Sequence, residues 1–260
     1  GGEPLLRKDT GKIMSTLSQL PVSLTMTTNG VLVDRYLNAF KLSGIRSLNL
    51  SLDTLNENRY FEITKRNIFQ KVISNINLLL DNGFKVKVNV VLIRDFNDDE
   101  ILDFIKWTKN ENIHVRFIEF MPFDDNQWRW EKIFSYKEIL EEIKSVFEIQ
   151  KLKDKKHDTA RAFQVIGYKG TFAIISSMTN HFCGTCSRLR LTADGKMKNC
   201  LFSNDEVDLL TPFRSGEDIK PIIRECLWRK KPRHGGIKEL EKLTINDPEI
   251  SQRSMILIGG

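Results

Sequence analysis

Cys183-Gly184-Thr185-Cys186, followed after thirteen residues by Cys200, is the strongest chemical signal in the sequence. A CxxC loop presents two thiolates to one metal centre. The stretch that follows contains Asp194-Gly195, a dipeptide suited to a two-residue type I′ hairpin turn. Folding there sets Cys200 across from about Leu189, so that all three sulfurs can converge. Three thiolates leave a tetrahedral site one ligand short. Structural zinc takes a fourth protein ligand, whereas an iron–sulfur cluster can expose one iron to a small molecule. Two residues are candidates for a fourth ligand. Cys226 stands at helical spacing with Ile219, Ile222 and Ile223 and reads as a small core residue; His181 reads as a side chain bonded to backbone. A three-cysteine cluster is expected, with structural zinc as the alternative.

Cationic residues accompany this loop. Arg188 and Arg190 flank Leu189 on the first strand of the expected hairpin, and period-two geometry puts both guanidinium groups on one face. An isolated R-x-R is most simply a solvated strand face, but beside an open iron it is also a fork for phosphate oxygens. In Lys85-Val86-Lys87-Val88-Asn89-Val90 the valines share one face and Lys85, Lys87 and Asn89 the other. An exposed edge strand would explain that pattern. In a parallel barrel the helices cover the outside, and the polar face looks into the lumen, where polar groups are functional. The same reasoning covers Arg116 and Glu119 in Arg116-Phe117-Ile118-Glu119-Phe120-Met121. Gly1-Gly2-Glu3-Pro4, Thr27-Thr28-Asn29-Gly30 and Ser51-Leu52-Asp53 fall at strand ends, which in a barrel form the active-site rim.

The elements that would position these residues alternate up to Met121. Strands are expected over residues 24–28, 47–52, 85–93 and 115–121. Helices are expected over 34–42 and 67–82, with a further one from Asn97-Asp98 to Trp107. This β-α-β-α order implies parallel strands with helices outside, in a barrel or an open sheet. After Met121 the pattern changes to a loop, an amphipathic helix over 136–147, a charged linker over 151–159, and short strands over 162–166, 171–176, 188–192 and 196–201. Two units are therefore expected, residues 1–121 and 122–260.

The composition bounds the partners. The chain has 260 residues, 40% hydrophobic and 28% charged, as an ordinary globular protein has. No apolar run approaches the roughly 20 residues a membrane span needs, so no membrane partner is expected. The net charge of +6 suits either nucleic acid or an anionic small molecule. Basic residues are scattered apart from 151–156 and 229–233, and no nucleic-acid module pattern is present, so nucleic acid is not expected. Clustered cysteines without a secretory signal point to metal ligation in a reducing compartment.

Taken in order, G-G-E-P, T-T-N-G, S-L-D, K-V-K-V-N, R-F-I-E-F-M, C-x-x-C-x-R-x-R-L with its later Cys200, and the terminal Gly259-Gly260 resemble the GTP 3′,8-cyclase family of radical S-adenosylmethionine enzymes. Met121-Pro122-Phe123-Asp124 with Trp128, and the residues around the CxxC loop, resemble its animal branch, which implies a protein of the mitochondrial matrix, the alternative being a cytoplasmic bacterial one. The resemblance implies an incomplete parallel (β/α) barrel of the radical S-adenosylmethionine type, followed by an α+β iron–sulfur domain. It implies a first [4Fe–4S] cluster that cleaves S-adenosylmethionine to a 5′-deoxyadenosyl radical, which takes hydrogen from C3′ of GTP so that the ribose attacks C8. A second [4Fe–4S] cluster on Cys183, Cys186 and Cys200 would bind the guanine through its open iron.

Carried over by position, Gly2, Ser51 and Met121 would contact S-adenosylmethionine. Thr27, Lys87, Arg116, Arg188 and Arg190 would hold GTP. Gly259 and Gly260 would reach toward the substrate. The pathway would continue through a cyclic pyranopterin monophosphate synthase, the electron donor is not specified, and a homodimer is compatible with the resemblance. No C-x-x-x-C-x-x-C loop, the family's carrier of the first cluster, occurs in these 260 residues. The chain, which does not begin with Met, is therefore expected to be the later part of such an enzyme, to hold one cluster and to form no 5′-deoxyadenosine alone. The alternatives are another radical S-adenosylmethionine enzyme with an auxiliary cluster, or a zinc-stabilised binding module.

Overall fold

Alternation of apolar and polar residues builds the central strands of the computed structural model, which describes residues 2–123, 126–243 and 253–254. The chain runs through α1 (Thr10–Leu17), β1 (Met26–Thr28), α2 (Val33–Leu42), β2 (Ser47–Ser51), α3 (Glu57–Thr64), α4 (Phe69–Asp81), β3 (Lys85–Leu92), α5 (Ile101–Trp107) and β4 (Ile113–Glu119). Strands β1 to β4 pair in parallel in that order. On β3 the valines Val86, Val88 and Val90 are fully buried; they belong to one core with Phe40, Ile76, Leu79 and Phe104 from the covering helices. Burying such side chains contributes about 1.5–3 kcal/mol each, which is why the register cannot slip by one residue.

That register sets the functional face. It aligns Thr27 with Asn49, Asn49 with Lys87, and Lys87 with His114 in one row, and Ser51, Asn89 and Arg116 in the next. Glu119 does not join them. Residues three apart on a strand point to opposite faces, so Glu119 lies with Val115 and Phe117 and is fully buried. Its carboxylate accepts hydrogen bonds from the Tyr136, Met178 and Thr179 main-chain N–H groups at 3.0, 2.7 and 3.0 Å, and from the Thr179 hydroxyl. The expectation that it faces a lumen is corrected to a structural anchor.

The sheet continues beyond residue 121. Helix α6 (Tyr136–Val146), opened by a Ser135/Glu138 capping box, leads to β5 (Ile149–Lys151), β6 (Arg161–Val165) and β7 (Thr171–Ile175). Strand β7 pairs in parallel with β4, and β6 and β5 follow antiparallel, giving the order β1-β2-β3-β4-β7-β6-β5. These strands, assigned by sequence to the following unit, extend the first unit's sheet because buried Phe172, Ala173 and Ile174 complete the packing beside β4.

A three-stranded antiparallel sheet follows, from β8 (Arg190–Leu191), β9 (Lys196–Lys198) and β10 (Val207–Asp208), with α7 (Leu210–Arg214) and α8 (Lys220–Trp228). Arg190 pairs with Lys198 and Leu191 with Met197. Thr192 N–H donates to the Lys196 carbonyl at 2.8 Å, so the loop holds three residues, Ala193, Asp194 and Gly195, with Gly195 at φ +79°. This replaces the expected two-residue turn, and one extra loop residue shifts the register by one. The strand pairing also ends at Arg190, so Arg188 lies outside β8.

Two residues lock the strand ends. Glu3 accepts from the Thr28 hydroxyl at 2.6 Å and the Asn29 N–H at 2.7 Å, which ties the opening segment to the end of β1. Gly30 has φ +81°, and a Cβ there would meet Leu50 Cδ2 at 3.0 Å and Val72 Cγ1 at 3.3 Å. Gly30→Ala is therefore expected to lower unfolding stability by about 1–2 kcal/mol from backbone strain alone, read as an earlier urea midpoint. An unchanged midpoint would show that this turn relaxes freely.

Candidate functional site

The CxxC loop is a 3₁₀ turn over Cys183–Thr185, closed by the Cys186 N–H donating to the Cys183 carbonyl at 3.2 Å. Cys183, Cys186 and Cys200 line one cavity with Arg188, Arg190 and Lys230. All four cysteines are free thiols. Cys226 stands apart from these three, 2% exposed in a small core with Met197 and Leu209, as its spacing implies. Among the described residues, no three His, Cys, Asp or Glu side chains gather around one point as a single metal ion requires. Three thiols on one cavity would suit an iron–sulfur cluster that keeps one iron open.

The thiols differ electrically. Burial pushes the Cys183 thiol up, and nearby Cys200 and Cys186 add to this against a contact from the His234 main-chain N–H. Burial acts the same way on Cys186, but hydrogen bonds from the Arg188 backbone and side chain, with the charges of Arg188 and Lys230, outweigh it and leave that thiol below its ordinary value. Arg188 also lies over the Phe182 ring, 5.0 Å from its centroid. His181 departs from expectation. It lines the cavity, its buried Nδ1 has no hydrogen-bond partner among the described residues, and its ring packs edge-on against His234. The histidine bonded to backbone is His234, whose Nε2 lies 2.8 Å from the Ser177 carbonyl.

A second cavity lies at the strand ends. Gly2, Thr27, Ser51 and Met121 line it together, with Asp53 and Asn89. Thr27 thus sits with the residues expected at S-adenosylmethionine, and the two cavities share no lining residue. Burial pushes the Asp53 carboxyl up to about 6, opposed by the Val91 N–H, which donates to it at 2.8 Å.

Lys87 and Arg116 occupy the polar face of β3 and β4. The Arg116 guanidinium donates to Asn89 Oδ1 and Asn49 Oδ1, both at 2.8 Å, and Asn49 Nδ2 donates to the Thr27 hydroxyl at 3.2 Å. Sequence reasoning missed Asn49, although its place between Ser47 and Ser51 puts it on the same face as both. Burial pulls Arg116 down to about 10, and burial followed by the charge of Arg116 lowers Lys87. The linker between β5 and β6 approaches both groups of residues. Asp158 and Lys155 act electrostatically on Lys87, and His157 Nδ1 lies 2.8 Å from the Thr185 carbonyl in the CxxC loop. Gly259 and Gly260 lie outside the described residues.

His114, neglected in the sequence, is held at a pKa of about 4 by burial, with Arg116 and Lys87 adding to it. The unfolded chain, with the ordinary histidine value near 6.5, binds more protons between those limits, so stability is full above about 6.5 and declines toward 4. Urea unfolding of the apoprotein across this window is expected to show that slope, reduced in His114→Phe. An equal slope in both proteins would assign the acid lability elsewhere.

Two family models cover nearly the whole chain. Residues 1–108 match the Radical SAM superfamily and residues 113–236 match Molybdenum Cofactor Synthesis C. The class is therefore that of radical S-adenosylmethionine proteins, and no helix among the described residues is long and apolar enough to cross a membrane. The chain is 42% identical over 267 residues to "GTP 3′,8-cyclase, mitochondrial" of Arabidopsis thaliana, covering 100% of this chain and 67% of that one. It is 37% identical over 265 residues to "GTP 3′,8-cyclase" of Alkaliphilus oremlandii, covering 100% and 80%. "Molybdenum cofactor biosynthesis protein 1" of Drosophila melanogaster is 44% identical over 241 residues, 90% of this chain and 43% of that protein. The chain belongs to the GTP 3′,8-cyclase family. It spans less than half the length of the animal relatives it matches.

Proposed function

We propose that this protein acts as a GTP 3′,8-cyclase in the first step of molybdenum-cofactor synthesis, with GTP as substrate and S-adenosylmethionine as cosubstrate. One observation carries the reading: the cavity that gathers Cys183, Cys186 and Cys200 is also walled by Arg188 and Arg190. A thiol set with cationic walls suits a [4Fe–4S] cluster beside a polyanionic ligand. Bound there, a cluster supplies an iron with an open position, and S-adenosylmethionine supplies the radical chemistry.

The chain's own residues bind and orient. Gly2, Ser51 and Met121 are assigned to S-adenosylmethionine, supported by their shared cavity at the strand ends. Thr27, Lys87, Arg116, Arg188 and Arg190 are assigned to GTP. The network from Arg116 through Asn49 to Thr27 holds that face in one arrangement before the substrate arrives. The seven-stranded sheet is assigned to an incomplete radical S-adenosylmethionine barrel that extends past residue 121 through β7, β6 and β5, and the iron–sulfur domain to the three-stranded sheet with α7 and α8 that follows it; the family models meet earlier, between 108 and 113. A mitochondrial location is supported by the Arabidopsis relative's name. The product would pass to a cyclic pyranopterin monophosphate synthase.

Binding measurements test the substrate assignment. In anaerobically reconstituted protein, Arg190→Ala is expected to weaken GTP by about 1.5–3 kcal/mol, the worth of a hydrogen bond to a charged group. Guanosine should be affected far less, and iron content should stay intact. Equal losses for guanosine and GTP would show that this arginine does not read phosphate.

A further inference from the structure

The basic run 229–233 has no part in the roles above, yet the structure lays it against the cysteine cavity. Helix α8 fixes where the run begins. Its Cys226 is buried, and the Cys226 carbonyl accepts from Asn199 Nδ2 at 2.8 Å. Asn199 precedes Cys200, so one hydrogen bond ties the helix end to the third cysteine. Arg229 Nη2 then pairs with Asp205 Oδ1 at 2.7 Å. Lys230 follows, half-buried, and its Nζ donates to the Arg188 carbonyl at 3.0 Å and to Cys186 Sγ at 3.7 Å.

The same run reaches a second thiol. Four residues beyond Lys230, the His234 main-chain N–H acts on the Cys183 thiol, lowering it against the effect of burial. His234 is 1% exposed and held by the Ser177 carbonyl. Gly235 beside it has φ +69°, and a Cβ there would meet the Ser203 nitrogen at 2.7 Å, so the chain passes too close for any other residue. One short segment, more than forty residues away in sequence from the CxxC loop, therefore donates to the Cys186 sulfur and acts on the Cys183 thiol.

We propose that residues 230–234 form a strap over the cluster and that Lys230 is a positioning residue that sets the cluster's reduction potential by donating to the Cys186 thiolate. This rests on the reading that the three cysteines hold an iron–sulfur cluster. Reduction adds negative charge to the cluster and its thiolates, and a cationic N–H donor stabilises that charge, so the donor raises the potential. An exposed lysine would be screened by salt. Lys230 is instead oriented by the Arg188 carbonyl, which takes one of its three donors and leaves others for sulfur. Arg188 bonds to the same sulfur, so Cys186 keeps a donor when Lys230 is neutralised, and the cluster persists.

The test uses the full-length enzyme, reconstituted anaerobically with iron and sulfide, as wild type, Lys230→Met and Lys230→Arg. The signal followed is the electron paramagnetic resonance of the reduced cluster that Cys183→Ser removes, titrated against potential without GTP. Iron and sulfide are expected to match wild type in both variants. The reduction equilibrium in Lys230→Met is expected to fall about tenfold, about 59 mV for one electron, and Lys230→Arg should recover at least half of that shift. An intact cluster with unchanged potential in Lys230→Met would overturn the proposal, as would an equal shift in Lys230→Arg. Loss of iron from both variants would make Lys230 a packing residue and overturn it as well. Absence of any Cys183-dependent signal in wild type would defeat the cluster reading itself, before a lysine variant is measured.

Discussion

Replacing Cys183, Cys186 or Cys200 by serine will remove the second-domain iron–sulfur absorbance near 400 nm, with a loss of about four irons per chain. The expectation rests on the shared cavity and on the number of thiols. Three sulfurs are the smallest set that holds a four-iron cluster, and no other described cysteine lines that cavity. Serine keeps the size of the side chain but supplies no thiolate at neutral pH. Cys226→Ser is the internal control. Its sulfur lies in the α8 core with Met197 and Leu209, so the change should cost stability and leave iron in place. Iron loss in Cys226→Ser with iron retained in Cys200→Ser would reverse the ligand assignment. Sulfide-free zinc bound at these cysteines in anaerobically prepared protein would replace the cluster by a structural site.

Glu119→Ala is expected to cost on the order of 3–5 kcal/mol of stability, since each buried donor left without a partner costs about 1–3 kcal/mol. The carboxylate holds three main-chain N–H groups and one hydroxyl at the point where β4 ends, α6 begins and the chain leaves β7. Without it, the α6 N-terminus and residues 178–179 lose their common acceptor. Glu119→Gln tests the charge at constant shape. Its amide turns a donor toward N–H groups that need an acceptor, so it should fall between wild type and alanine. Chemical denaturation of the apoprotein reads the effect. A loss under 1 kcal/mol in Glu119→Ala would show that water replaces the carboxylate and that the junction is not anchored there.

That Cys183, Cys186 and Cys200 line one cavity was legible because residue type and spacing along the chain bring them together. CxxC needs only a local turn, and Cys226 was recognisable as core from helical periodicity alone. The valine and lysine alternation of β3 showed which side of the strand would be polar, since a pleated strand sends successive side chains to opposite faces. The same rule, applied to Arg116 and Glu119, separates them; only the burial of Glu119 in the structure revealed what its face is for. Asn49 was readable by that rule as well. Its value appeared only when Arg116 and Thr27, from two other strands, arrived on either side of it.

Other features depended on tertiary structure for a physical reason in each case. The hairpin register turned on one loop residue, because Asp194-Gly195 is compatible with both a two-residue and a three-residue turn. The pairing of β7 with β4 joins residues more than fifty positions apart, and hydrophobic patterning alone does not choose a partner for a strand. The run 229–233 stood out in the sequence as one of two basic clusters, but no role could be given to it, since composition carries no distances. Sequence by itself determined the three thiols and the polar faces, set by local spacing and periodicity, while the family was legible only through the resemblance of its ordered motifs. Tertiary structure alone decided that Lys230 and His234 close on the sulfurs, because long-range packing of α8 against β9 brings them there.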